Sequence, residues 1–278
     1  MVSFGHLIPA EAIQVCRHGI LNVHGSLLPR WRGASPIHHA ILAGDTTTGV
    51  TVMRIKPDKF DVGEIVTKEE IPIAETSTCR DIYKQLAVVG ADLLMKTISN
   101  LDEALANARP QSTTGVTNAP KPKKSQGLID WSTMSAVEVD QRIRAFDGLI
   151  DVFTVWLDGT ELRLFNSVPP RLVDELAIDS LIATAAQPAP PGLIYYHKKR
   201  RLLCVKCADG HWAAVKTVAL KNHKRMSALE FYNGFLNKFL LRNRNTPVVL
   251  RNSEDTAVNH RLDSNCNHDS KVKLKSDK

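Results

Sequence analysis

Cysteine is scarce: five residues in 278, at positions 16, 79, 204, 207 and 266. An odd number without framework spacing argues against a disulfide scaffold and points to a reducing compartment. Cys204 and Cys207 form a Cys-x-x-Cys pair, but they sit in an apparent strand, Arg201–Cys207, where residues three apart face opposite sides. They read as packing residues, and no metal-ligand cluster is visible elsewhere. Long apolar runs are missing too, since no stretch approaches the ~20 residues of a bilayer span. The first residues resemble neither a secretory signal nor an Arg-rich transit peptide. What remains is a globular composition, 43% hydrophobic and 23% charged with a net charge of +7. That length accommodates one large domain or two ordinary ones.

The most informative stretch is Leu21–Pro36, Leu-Asn-Val-His-Gly-Ser-Leu-Leu-Pro-Arg-Trp-Arg-Gly-Ala-Ser-Pro. A short apolar run behind Gly19 predicts a strand ending at His24. The chain then breaks at Gly25 and Pro29, and a helix is predicted to start at Pro36, a residue suited to a first helical position. Asn22 and His24 lie two apart on the strand, so their side chains share one side. An amide donor beside an imidazole can stabilise an oxyanion and move a proton, which acyl transfer demands.

Met1–Pro9 reads as a buried strand leading into a helix at Pro9–Cys16. Strands are predicted at Gly49–Ile55 and beyond the loop Lys56–Glu64 through Ile73, and helices at Ser77–Asn100 and Leu101–Ala108. Arg109–Gln126 holds three prolines and three lysines and reads as a linker. A helix over Ser135–Ala145 follows. Short β-like runs at Val152–Leu157, Glu161–Phe165, Gly192–His197, Leu202–Val205 and Trp212–Leu220 then fit a small barrel of the oligonucleotide-binding kind. Ser227–Leu240 reads as a closing helix. From Asn245 onward the residues are polar and aperiodic, and disorder is expected. The domains expected are therefore 1–108, a linker 109–127, 128–244, and a tail 245–278.

Asn-x-His-x-Ser-Leu-Leu-Pro-Arg-Trp-Arg-Gly resembles the signature of the folate-dependent formyltransferases, most closely the branch acting on methionyl initiator tRNA. Ile129-Asp-Trp131 and Phe231-Tyr-Asn-Gly are similar to that branch as well. The resemblance implies an α/β fold: a partial Rossmann-like parallel sheet followed by the OB-like barrel. It also implies elements before Met1 that help to complete the folate pocket, so the chain is expected to be amino-terminally incomplete. The co-substrate implied is 10-formyltetrahydrofolate, without a metal, and the acceptor is methionyl initiator tRNA. Asn22, His24 and, from the Asp-Val-Gly-Glu element, Asp61 take the catalytic positions. Ser26, Leu27, Leu28 and Pro29 match the folate-contacting loop, with a cis bond at Leu28–Pro29. The Asp61 loop is one residue longer than the usual bacterial form, as in mitochondrial relatives; the resemblance implies a mitochondrial enzyme, and a monomer is expected. The alternatives are another folate-dependent formyltransferase or hydrolase, and an inactive RNA-binding remnant.

Charge is uneven. Residues 195–225 carry nine Lys or Arg against one acid, Asp209. Lys198, Lys199, Arg200, Arg201, Lys216, Lys221, Lys224 and Arg225 are the candidates for contact with tRNA phosphates.

Overall fold

A computed structural model describes residues 7–57, 59–182, 189–243 and 246–250. The expected strand at Met1–Pro9 falls mostly outside them, and Leu7–Pro9 are not in a strand. Cys266 and residues 251–278 also lie outside the described residues. Helix α1 spans Ala10–Gln14, and strand β1, Leu21–His24, follows. Helix α2 covers Pro36–Leu42 with proline at its first turn. Strands β2, Thr47–Arg54, and β3, Ile65–Pro72, complete a three-stranded sheet in the order β1-β2-β3.

Both ladders of this sheet are antiparallel, Leu21 to His24 running against Arg54 to Thr51 and Thr47 against Pro72. The expected parallel sheet is therefore corrected. The signal lay in the connection: parallel neighbours need a crossover of a dozen or more residues, usually helical. Between β2 and β3 there are ten residues, 55–64, without a helix.

Helix α3, Cys79–Ser99, covers the sheet. Thr78 accepts a hydrogen bond from the Asp81 amide, and the Asp81 carboxylate accepts from the Thr78 amide, a reciprocal cap for free backbone donors. Its buried stripe is Ile82, Leu86, Gly90, Leu93 and Thr97, at the three- and four-residue spacing of one helical face. Gly90 matters because a Cβ there would stand 3.1 Å from Val23 of β1, so its absence lets helix and sheet close up. Helix α4, Leu101–Ala106, ends this segment.

Helix α5, Ala136–Ala145, is capped by Ser135 and Glu138 in the same reciprocal way. Then come β4 (Phe153–Val155), β5 (Glu161–Val168), α6 (Pro170–Asp174), α7 (Ile178–Leu181), β6 (Ile194–His197), β7 (Leu202–Lys206), β8 (Trp212–Leu220) and β9 (Met226–Ser227). They form an antiparallel sheet ordered β4-β5-β8-β7-β6, with β9 also on β8. It is not a closed barrel, which corrects that expectation. Closure would require β4 to meet β6. Instead the outer edge of β6 is taken by residues 246–250, where Ile194 N–H donates to Val248 O at 2.8 Å and Leu250 N–H to Gly192 O at 2.9 Å. Val248 and Leu250 are buried. This start of the expected disordered tail is thus an ordered edge segment, because two apolar side chains give it something to bury.

The expected closing helix is interrupted. Helix α8, Ala228–Phe231, passes into a π-helical turn, Tyr232–Leu236, and then into α9, Asn237–Arg242. Buried residues of both halves join one cluster, in which Ile37 and Ile41 of α2 belong with Val139 and Ile143 of α5.

Candidate active site

On β1 the alternation of exposure buries Asn22 and His24 on one side, at 9% and 6% exposed. Opposite His24 in the ladder stands Thr51, fully buried. Its hydroxyl donates to Ser26 O at 2.7 Å and accepts from Leu28 N–H at 3.1 Å, which pins the start of the following loop. The Leu28–Pro29 bond is cis, as the resemblance implies. Ser26 and Leu28 are buried inside the loop, and the Ser26 hydroxyl donates to Arg30 O at 2.6 Å. Leu27 and Pro29 are partly exposed. Leu27 borders a cavity of about 330 Å³ with Arg30, Trp31 and Asp45.

Trp31 has φ 62°, a left-handed conformation rare for a bulky residue. Three contacts hold it. Its amide donates to Thr117 Oγ1 at 2.9 Å, its indole N–H to Asp45 at 2.8 Å, and its carbonyl accepts from His24 Nε2 at 2.9 Å. A carbonyl only accepts, so His24 carries its hydrogen on Nε2 and turns Nδ1 toward Asp61. The distance from His24 Nδ1 to Asp61 Oδ1 is 3.6 Å, with both side chains largely buried. That is too long for a hydrogen bond, though the two groups face each other directly. The other Asp61 oxygen accepts from Gly33 N–H at 2.9 Å.

Asp61 is itself left-handed, φ 52°, and lies in the β2–β3 loop. Gln111 secures that loop by donating to Asp61 O and Gly63 O, both at 2.8 Å, while its Oε1 accepts from Arg32 at 2.7 and 3.0 Å. The Asn22 side chain, 9% exposed, makes no hydrogen bond to another described residue.

Arg30 and Asp45 brace the other side of the loop through paired bonds of 2.6 and 2.8 Å, and the guanidinium lies 4.3 Å from the Trp31 ring centre. Burial pushes the Asp45 carboxyl up, but the hydrogen bonds from Arg30 and Trp31 outweigh it and hold the group below its ordinary value. Arg30 is raised in turn, chiefly by its bond to Asp45. Arg30, Gly33, Asp45, Thr51, Gln111 and Thr117 had no functional reading in the sequence. Gln111 and Thr117 fall in the stretch taken for a linker. This stretch in fact runs along the site, with Arg32 N–H donating to Thr117 O and Ala119 N–H to Arg32 O.

The eight candidate basic residues are all exposed and divide between two places. Lys198, Lys199 and Arg200, in the β6–β7 turn, border a cavity of about 790 Å³. Lys216 and Arg225 border another of about 860 Å³ together with Arg80 of α3. Arg201, Lys221 and Lys224 line neither. The ninth basic residue of the stretch, Lys206, is buried and paired with Asp179 at 2.8 Å. Buried Cys204 and Cys207 have thiols pushed up to about 12 by burial, consistent with packing. Among the described residues no group of three His, Cys, Asp or Glu could hold a metal, and no helix is long and apolar enough to cross a membrane.

Two family models match: formyl transferase over residues 1–98, and the formyl transferase C-terminal domain over residues 121–236. Methionyl-tRNA formyltransferase of Methylococcus capsulatus is 36% identical over 233 residues, 84% of this chain and 70% of that protein. The chain belongs to the methionyl-tRNA formyltransferase family. The mitochondrial methionyl-tRNA formyltransferase of Mus musculus is 37% identical over 247 residues, 87% of this chain. The chain spans 61% of the length of that relative. Among solved structures, HypX of Aquifex aeolicus in complex with tetrahydrofolic acid has a TM-score of 0.55 at 17% identity, covering 78% of this chain and 35% of that one. This likeness is one of fold.

Proposed function

We propose that this chain carries the formyl-transfer centre of a methionyl-tRNA formyltransferase, moving a formyl group from 10-formyltetrahydrofolate to the α-amino group of methionyl initiator tRNA. The observation that carries the reading is the placing of Asn22 on the same side of β1 as a His24 that faces Asp61.

In the reaction the free amine attacks the formyl carbon, and the carbonyl oxygen takes up negative charge that Asn22 N–H stabilises. His24 stabilises the same oxygen or supplies the proton to the departing N10, for which its Nε2 has to leave the Trp31 carbonyl. Asp61 orients the imidazole and, through a bridging water, accepts the amine's proton. When the formyl carbon–N10 bond breaks, that proton passes to N10, so the net transfer is from amine to folate nitrogen. The residues of Ser26–Pro29 shape the folate side of the centre, Ser26 and Leu28 by fixing the backbone and Leu27 and Pro29 by presenting partly exposed apolar surface.

Segment 128–244, with the open sheet standing where an OB-like barrel was expected, is read as the tRNA-binding half. The exposed lysines and arginines on its turns support that reading, and likeness to mitochondrial relatives supports a mitochondrial location. The test is single-turnover formylation of methionyl initiator tRNA by the 278-residue chain and by its His24→Ala variant. Transfer that is lost in the variant while tRNA affinity persists supports the reading. Transfer that survives the substitution overturns it.

A further inference from the structure

The cavity beside β6 combines features that the formyl-transfer chemistry does not use. Tyr196 of β6 and Tyr232 stack there, ring centres 4.3 Å apart and planes 16° from parallel. Tyr232 begins the π-helical turn, and such turns occur frequently at functional sites. Tyr196 is 7% exposed, and its buried hydroxyl has no hydrogen-bond partner among the described residues. Lys198, Lys199 and Arg200 stand on the rim, exposed and without an ion pair among the described residues. The acid at the rim, Glu175, is paired with Arg171 at 3.1 Å, so the unpaired charge there is positive.

An aromatic platform with cations beside it suits a planar, polarisable ligand that carries phosphate. Every nucleobase offers such a face to an aromatic ring, but only when it is not already paired and stacked in a duplex. We infer that this cavity holds an unpaired nucleotide of an RNA strand, its base stacked on the Tyr232–Tyr196 platform and its phosphates met by Lys198, Lys199 and Arg200. This rests on the reading that the chain binds RNA, and it adds recognition of a single-stranded element to contacts otherwise confined to phosphates.

The test titrates the whole chain into three labelled RNAs: an initiator tRNA transcript, a short single-stranded oligoribonucleotide, and a blunt duplex. The single strand should bind more tightly than the duplex. Tyr232→Leu should weaken the single strand by roughly 5- to 160-fold, the range of one base–aromatic stack, and leave the duplex unchanged. Tyr232→Phe, which keeps the ring, should retain most of the affinity. Because Tyr232 packs against the core, the surface variant Lys198→Ala/Lys199→Ala gives an independent reading, with weaker single-strand binding and a shallower salt dependence. Unchanged single-strand affinity in that variant, or single-strand binding no tighter than duplex binding, overturns the nucleotide pocket while tRNA binding still stands. Failure of all three RNAs to bind overturns both readings.

Discussion

His24 Nδ1 faces Asp61 Oδ1 at 3.6 Å while the opposite ring nitrogen is committed to the Trp31 carbonyl. The imidazole is thereby fixed in orientation, with one nitrogen held by a carbonyl and the other facing a carboxylate. The Asn22 carboxamide is different, because no side-chain hydrogen bond joins it to another described residue. Asn22→Ala should therefore leave thermal stability nearly unchanged and lower single-turnover formyl transfer by ~10²–10³, the usual loss when one oxyanion donor is removed. A variant that melts early, or one that transfers at the parental rate, would place Asn22 outside the chemistry.

Asp45 governs the loop from the other side. Its carboxyl is held below its ordinary value by Arg30 and Trp31, against the opposing push of burial. A carboxylate depressed in the folded state contributes stability above its unfolded value, near 3.9. That contribution fades as pH falls through the lower folded value. Asp45→Asn should lower stability at neutral pH by roughly 1.5–3 kcal/mol, the range for hydrogen bonds to charged groups. It should also flatten the loss of stability between about pH 5 and the acid limit. Urea melts at several pH values measure both effects, and parallel curves for the two proteins would remove Asp45 from this role.

Much of this was legible in residue spacing. The alternation at Asn22 and His24 gave a shared side, and Pro36 marked the start of α2. Strand direction was not legible from the β1 motif. It depended on the helix-free connection 55–64, whose meaning is clear only once β2 and β3 are seen as neighbours. Asp61 reaches His24 through that loop and not through parallel strand ends. Gln111 and Thr117 were hidden because their partners, Asp61 and Trp31, lie 50 and 86 residues away. A polar, proline-containing stretch looks like a linker until its hydrogen bonds are known. Val248 and Leu250 were masked in the same way by polar neighbours.

The division of the basic residues between two cavities gives a salt-dependence prediction. Lys216 and Arg225 share a cavity with Arg80, apart from the β6–β7 turn. If both touch tRNA phosphates, Lys216→Ala/Arg225→Ala should weaken tRNA binding and reduce the slope of log affinity against log salt by about 0.9 for each phosphate no longer neutralised. The Arg225 guanidinium also lies 3.6 Å from the Phe165 ring centre, so Arg225→Lys separates charge from stacking. It should restore the slope without the full affinity. A slope that does not move in the double variant makes these two residues solvated surface.

Gly33 links the site to the segment that runs past it. Its φ of 124° is a conformation that side chains rarely adopt, and a Cβ there would stand 2.7 Å from the Ala119 carbonyl oxygen. Its amide also donates to Asp61. Gly33→Ala therefore meets two penalties: backbone strain of about 1–3 kcal/mol, and displacement of residues 117–119 from Arg32 and Ser35. Gly159→Ala is the matched control, since Gly159 has φ 84° but nothing within 4 Å of the added carbon. Denaturant melts should show Gly33→Ala as the more destabilised protein, and only that variant should lose formyl transfer, because only there does the Asp61 carboxylate lose its backbone donor. Equal losses of stability in the two variants would reduce the effect to backbone strain and remove the close approach at Ala119 as a cause.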